Sequence, residues 1–318
     1  HLIRRTAIAA LLACSAAGAF AQAGTARIVV AFPPGGPVDF VGRVLAEGLG
    51  KELGTTVLVD NKPGGNGGVA GQFVARAGND GNTMWITSVG AVAINPSLYE
   101  NLSYDVQRDF APLSLVVNNN EVLVVNPANP ANSVSDFVAA ARTRKEPTAM
   151  ASSGIGSVPH LAMELLAEVS KTSLLHVPYK GAAPAITDVM GGQVAGFFGD
   201  IPGLIGHLKG GKLKAIGIAA PRRHALLPEV RTLDEQGLAG VDTNNWYALL
   251  APAGTPPARV DALNAAVRRA LASELVRAKL AASGAEPAAS TPVELAVMIK
   301  ADTAKWARII RDKKIKGE

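Results

Sequence analysis

The groups in this chain best suited to chemistry are the backbone amides and hydroxyls of two Gly-rich loops, each lying between an apolar run and an amphipathic one. The first loop is Phe32-Pro33-Pro34-Gly35-Gly36-Pro37-Val38-Asp39, directly after Arg27-Ile28-Val29-Val30. Val38, Val41, Leu45 and Leu49 then recur at helical spacing, and Gly54 marks the stop. The pattern predicts a strand, a tight loop and a helix start. A helix start carries free N–H donors and partial positive charge, so it holds a carboxylate or phosphate without Lys or Arg. The second loop, Ser152-Ser153-Gly154-Ile155-Gly156-Ser157, runs into Val158-Pro159-His160 and adds hydroxyls. It has two readings: donors offered to the same anion, or an ordinary N-cap at Ser157 worth about 1 kcal/mol. Its length and density of donors favour the first.

Other chemistries find weaker footing. Gly65-Asn66-Gly67-Gly68-Val69-Ala70 matches a dinucleotide fingerprint by letter, but Asn61 to Gly64 separate it from the preceding strand and no acidic residue follows at the required distance. The G-x-S-x-G of a serine hydrolase does not occur. His160, His176, His207 and His224 show no metal-ligand spacing, so no metal and no cofactor is expected. Tyr179, Lys180 and Gly181 follow an apolar run at His176-Val177-Pro178, where they either line the cleft or face solvent. Asp200, after Phe197-Phe198-Gly199, either pairs with a ligand ammonium group or caps the next turn.

These residues need elements to position them, and the chain alternates short apolar strands with helical stretches, the pattern of an α/β fold with largely parallel sheets. Predicted strands cover 57–60, 83–87 (ending in Ser88), 148–152, 174–177, 194–198 and 213–219. Helices are predicted near 69–77, 159–169 and 184–190, and over most of 257–315. Two long β-like stretches, 111–125 (interrupted by Asn118-Asn119-Asn120) and 246–252, read as crossovers. The expected layout is therefore one domain from residues 22–122 and 247–318, with 123–246 inserted as a second. Ligands in such folds sit at strand ends between domains.

At 318 residues with 48% apolar content, the chain can build two cores. Aromatic residues at 5% are too few for a base-stacking platform, and a net charge of +5 is modest, so no nucleic-acid partner is expected. The basic run 308–316 reads as a solvated helix end. Arg4-Arg5, the apolar run 7–13 and Ala19-Phe20-Ala21 form an export leader over residues 1–21, with cleavage after Ala21. Leu11-Leu12-Ala13-Cys14 is a poor lipoprotein box. Residues 22–318 then hold no cysteine, so an exported chain relies on its cores rather than disulfides.

Several motifs occur together in order: Val30 to Gly36 with Asp39, Asp60-Asn61-Lys62-Pro63-Gly64, Asp80-Gly81-Asn82-Thr83 and Ile94-Asn95-Pro96-Ser97-Leu98-Tyr99. They continue with Tyr104-Asp105, Arg108 to Pro112, His176 to Gly181, Gly191-Gly192-Gln193-Val194, Trp246-Tyr247 and Leu250 to Pro256. From about Arg27 to Trp306 the sequence resembles the Bug/TctC-type periplasmic receptors of tripartite tricarboxylate transporters. The resemblance implies a two-lobed, type II-like Venus-flytrap binding protein and not an enzyme. Each lobe would be a mostly parallel sheet flanked by helices. The protein would work in the periplasm as a monomer and hand a small carboxylate to membrane permease subunits. It further implies that loops 32–39 and 152–157 hold the carboxylate through backbone amides and water, with His160 and Ser88 as further contacts. Val38 stands where the family often has Thr or Ser, Pro37 where it often has Gly, and Asp200 lies one place later than in the frequent Phe-Asp-Asn order. These departures imply a drier pocket suited to aromatic or aliphatic carboxylates. Two rivals are an exported α/β enzyme using His160 or Asp39 on an anionic substrate, and a ligand-bound sensor.

Overall fold

A computed structural model describes residues 25–317; the expected leader, with Cys14, lies outside them. The apolar strand β1 (Ala26–Val30) sits between β2 (Val57–Asn61) and β3 (Thr83–Ser88), parallel to both. Helix α1 (Pro37–Leu53) covers this sheet with Val38, Val41, Leu45 and Leu49, all buried, and ends at Gly54 in the left-handed conformation (φ 64°). The short helix α2 (Gly68–Ala75) covers the other face. Strands β4 (Phe110–Asn118), β10 (Tyr247–Pro252) and β11 (Glu286–Pro287) complete a six-stranded sheet in the order β11-β4-β10-β3-β1-β2.

The second sheet has the order β7-β6-β8-β5-β9. Its strands are β5 (Glu121–Val125), β6 (Thr148–Ser152), β7 (Leu174–Pro178), β8 (Gly196–Asp200) and β9 (Lys214–Ala219). Helices α3 (Val134–Arg142), α4 (Val158–Ser170), α5 (Ala182–Met190) and α6 (Ile201–Lys209) flank it. Helices α7 (Pro257–Ala272), α8 (Glu274–Ser283) and α9 (Pro292–Lys313) return to the first lobe. The parallel pairs expected from the sequence occupy one side of each sheet. The crossing strands β4, β5 and β10 pair antiparallel, which makes both sheets mixed. A strand leaving a sheet for its neighbour and one coming back run in opposite directions, so this is a consequence of crossing twice.

The chain passes between the sheets at Asn119-Asn120 and returns beside the same point at Asn244-Asn245. Asn119 O accepts from Asn245 N (3.1 Å), Asn119 Nδ2 donates to Asn245 O (3.1 Å), and Asn244 Nδ2 donates to Asn118 Oδ1 (2.9 Å). The lobes are closed on each other. Val158 and Leu161 of α4 are buried in one cluster with Leu98 and Trp246 of the first lobe. Lys313 Nζ of α9 lies 2.5 Å from Glu168 Oε2 of α4. Among the described residues no helix is long and apolar enough to cross a membrane.

Strand β3 carries Ser88 to the cleft and is fixed from behind by Trp85, which is fully buried against Phe110 (ring centroids 4.8 Å) and edge-on to Tyr104 (5.7 Å). Trp85→Ala leaves a cavity under that strand. It is expected to destabilise the protein by about 3–5 kcal/mol, read from urea unfolding.

Candidate functional site

Four helices begin at one cleft between the lobes. Gly36, Pro37 and Val38 at the start of α1 line it from the first lobe. Ser157, Val158 and Pro159 of α4, Ala182 and Ala183 of α5, and Asp200 at the start of α6 line it from the second. The starts of α1, α5 and α6 carry no side-chain cap, so their first-turn amides are not taken up by a neighbouring side chain. Phe32, Pro33, Asn66, Ser88, Ser153 and Asn245 complete the cleft wall. Among the described residues no Lys, Arg or His contributes to that wall. What it offers an anion is oriented peptide dipoles, each helix start being equivalent to roughly half an elementary charge. Such a cleft can bind an anion. It holds no group poised as a nucleophile with a base.

Each Gly-rich loop is braced from behind. Asp39 is 4% exposed. Its Oδ2 accepts from Gly35 N (3.0 Å) and Arg43 Nε (2.9 Å), and its Oδ1 from Asn61 Nδ2 (2.9 Å). Asn61 Nδ2 also donates to Phe32 O (3.0 Å), tying the next strand to the loop. Burial alone would raise the Asp39 pKa; hydrogen bonds from Arg43, Gly35 and Asn61 outweigh it and hold the carboxyl below its usual range. In the second loop, Ser157 Oγ accepts from His160 N (3.4 Å) and donates to Gly154 O (2.7 Å). Gly156 N donates to His160 Nδ1 (3.2 Å), and Ser152 Oγ shares a 2.5 Å hydrogen bond with His176 Nε2. The two imidazoles stack with centroids 3.7 Å apart. Burial and then the neighbouring His160 push the His176 pKa down to about 4, so it is neutral at pH 7.

The residues singled out in the sequence divide into three groups. Phe32, Pro33, Gly36, Pro37, Val38, Ser88, Ser153, Ser157 and Asp200 line the cleft. Gly154, Tyr179, Lys180 and Gly181 line an adjoining outer groove that shares Phe32, Pro33, Asn66 and Ser153 with it. Gly35, Asp39, Ser152, Gly156 and His160 line neither. The bonds just described place Asp39, Ser152 and His160 behind the loops as braces, because their polar atoms are already engaged within the protein. Asp200 stands at the N-cap position of α6 without capping it. Its Oδ2 instead accepts from Asn245 Nδ2 (3.0 Å) and the Tyr247 hydroxyl.

Asn66, Val158, Pro159, Ala182, Ala183 and Asn245 were not anticipated. Asn66 had a signal, since it falls between glycines in a loop that opens a helix. It adopts φ 47° and donates through Nδ2 to Gly156 O across the cleft (2.8 Å) and to Asn95 Oδ1 (3.0 Å). Ala182 and Ala183 have no chemistry of their own and gave no signal. Asn66 Oδ1 and Asn245 Oδ1 are buried acceptors without a donor from the protein.

Residues 41–315 match the family described as TctC, tripartite tricarboxylate transporter family receptor. Protein BugT of Bordetella pertussis is 34% identical over 90% of this chain and 88% of its own. The periplasmic binding protein BugD superposes with a TM-score of 0.88 at 31% identity, covering 92% of this chain and 99% of that one. R. palustris Rpa4515, solved with adipate, gives 0.89 at 30% identity (92% and 98% covered). MatC of Rhodopseudomonas palustris, solved with malate, gives 0.84 at 32% (90% and 98%).

The Asp39 brace has a pH signature. Because its pKa is lowered on folding, its stabilisation is present above the ordinary carboxylate range and is lost as pH falls through the lowered value. Asp39→Ala is expected to cost about 1–3 kcal/mol at neutral pH. The melting temperatures of variant and wild type should converge in acid; a gap that stays constant with pH would contradict the brace.

Proposed function

The chain belongs to the tripartite tricarboxylate transporter receptor family, and from this premise we propose that its cleft captures a small organic carboxylate for delivery to a membrane permease. The chain is a solute-binding receptor and not an enzyme. One observation carries the proposed ligand class: four helix starts meet at a cleft whose wall contains no cationic side chain. An anion there is held by amides of Gly36, Val38, Ser153 and the first turns of α4 and α5, with the hydroxyl of Ser88 beside it. Adipate and malate in the two related structures fit this charge requirement.

The two lobes close about the paired crossings at Asn119-Asn120 and Asn244-Asn245, within a few residues of the expected bounds at 122 and 246. Two strands side by side permit bending while resisting twist. Closure joins Asn66 to Gly156 and seats Pro33 and Pro37 against the second lobe, within 3.1–3.3 Å of where Gly181 and Gly203 would carry a Cβ. The permease then reads the closed form. The site of action is the periplasm, as for the family. Tyr179, Lys180 and Gly181 receive the distal end of a longer acid in the outer groove. The apolar wall of Phe32, Pro33, Pro37, Val38, Val158 and Pro159 suits a carbon chain, while Asn66 Oδ1 and Asn245 Oδ1 favour an acid that also carries a donor.

A thermal-shift panel tests this. An acid present at 100 times its dissociation constant stabilises the fold by roughly 2.7 kcal/mol. Malate is expected to raise the melting temperature more than succinate, which lacks the hydroxyl, because an unmet buried acceptor is costly. If neither these acids nor adipate nor an aromatic acid shifts the transition, the proposed ligand class is wrong.

A further inference from the structure

Behind the cleft lies a pair of carboxyl groups that the capture of an anion does not require. Glu121 opens β5 directly opposite Asp200, which closes β8, in an antiparallel register. Paired residues of this kind present their side chains on one face. Glu121 is 0% exposed and Asp200 6%. Among the described residues neither oxygen of Glu121 has a hydrogen-bond partner, nor has Asp200 Oδ1.

The surroundings supply no cation to balance them. On the first lobe's side, Tyr247 of β10 and Asn245 donate to Asp200 Oδ2. On the other side of β5, Glu121 faces Ala219 of β9. The start of α6 brings only its peptide dipole. His224, in the loop after β9, packs near Ile201, and burial lowers its pKa while its charged neighbours are Glu286 and Arg222. No Lys, Arg or His enters the balance of either carboxyl. Burial, and for Glu121 also the charge of Asp200, pushes both upward, Asp200 to about 7 and Glu121 well above its usual range. Two carboxylates side by side in a dry interior cannot both ionise.

The pair is also placed where the lobes move. Glu121 follows the Asn119-Asn120 crossing, Asp200 is held by Asn245 of the return crossing, and Asp200 reaches the cleft wall. Opening the cleft admits water to Asp200; closing removes it.

We propose that Glu121 and Asp200 form a one-proton site coupled to closure: the pair takes up a proton as the cleft shuts on its ligand and gives it up on opening. Ligand capture therefore tightens as pH falls, by at most about tenfold per pH unit for a single proton. The coupling rests on the receptor reading above, whereas the shared proton does not.

Three readouts with the full chain separate them. The raised pair destabilises the fold as pH climbs above the ordinary carboxylate range. Glu121→Gln should then melt higher than wild type at about pH 8 and match it more closely near about pH 5; parallel curves would overturn the shared proton. Infrared difference spectra should show the C=O band of a protonated carboxylic acid at neutral pH that Glu121→Gln weakens, and absence of the band from wild type would overturn it too. Asp200→Asn gives the same tests should Glu121→Gln fail to fold. Titration calorimetry with malate and with adipate, each in two buffers of different ionisation enthalpy, should show proton uptake on binding to wild type and less to Glu121→Gln. Binding without uptake, or equal uptake by both proteins, overturns the coupling. If neither acid binds, the receptor reading fails and the coupling with it.

Discussion

The structure depends on an electrostatic arrangement made without cationic side chains: helix starts from two lobes aimed into one cleft. A Lys or Arg in that position would have to be desolvated on closure and would give up side-chain freedom to hold its partner. Peptide amides are fixed in direction by the helices that carry them. Their field is already organised before an anion arrives, and it needs no side-chain ordering when the lobes meet.

Backbone donors are useful only if the backbone holds still, and the residues behind the cleft serve that end. Asp39 gathers Gly35, Arg43 and Asn61 on a single carboxylate, which prevents the first loop from relaxing toward solvent. The stacked His160 and His176 do the equivalent for the second loop through Gly156 and Ser152. The paired asparagines of the two crossings satisfy one another's main chain, so the connection between lobes remains ordered while carrying no rigid core of its own. Glu121 and Asp200 lie at that connection, which is why their protonation and the opening of the cleft are linked in our account.

Much of this was legible before any coordinates. The strand–loop–helix units around 32–39 and 152–157 were visible because glycines, prolines and hydroxyls interrupt regular apolar patterns, and both crossings were visible as β-like runs, the first broken at Asn118-Asn119-Asn120. What failed to show was of two kinds. Ala182 and Ala183 line the cleft through position alone, and a small apolar residue at a helix start looks the same in a site as elsewhere. Asp39, Ser152 and His160 carry suggestive side chains, but whether a polar group faces a ligand or its own loop depends on partners such as Asn61 and His176, distant in sequence. Helices α3 and α6 were also missed. The latter is short and begins Ile201-Pro202-Gly203, where a break is the ordinary expectation.

The central claim is that amides from both lobes hold the ligand together, and amide NMR reads it directly. On titrating malate into the isotopically labelled protein, the N–H resonances of Gly36, Val38, Ser153, Val158 and Ala182 should shift downfield and saturate along one common binding curve. Shifts confined to one lobe, or arising only at surface lysines and arginines while these amides stay in place, would contradict the account.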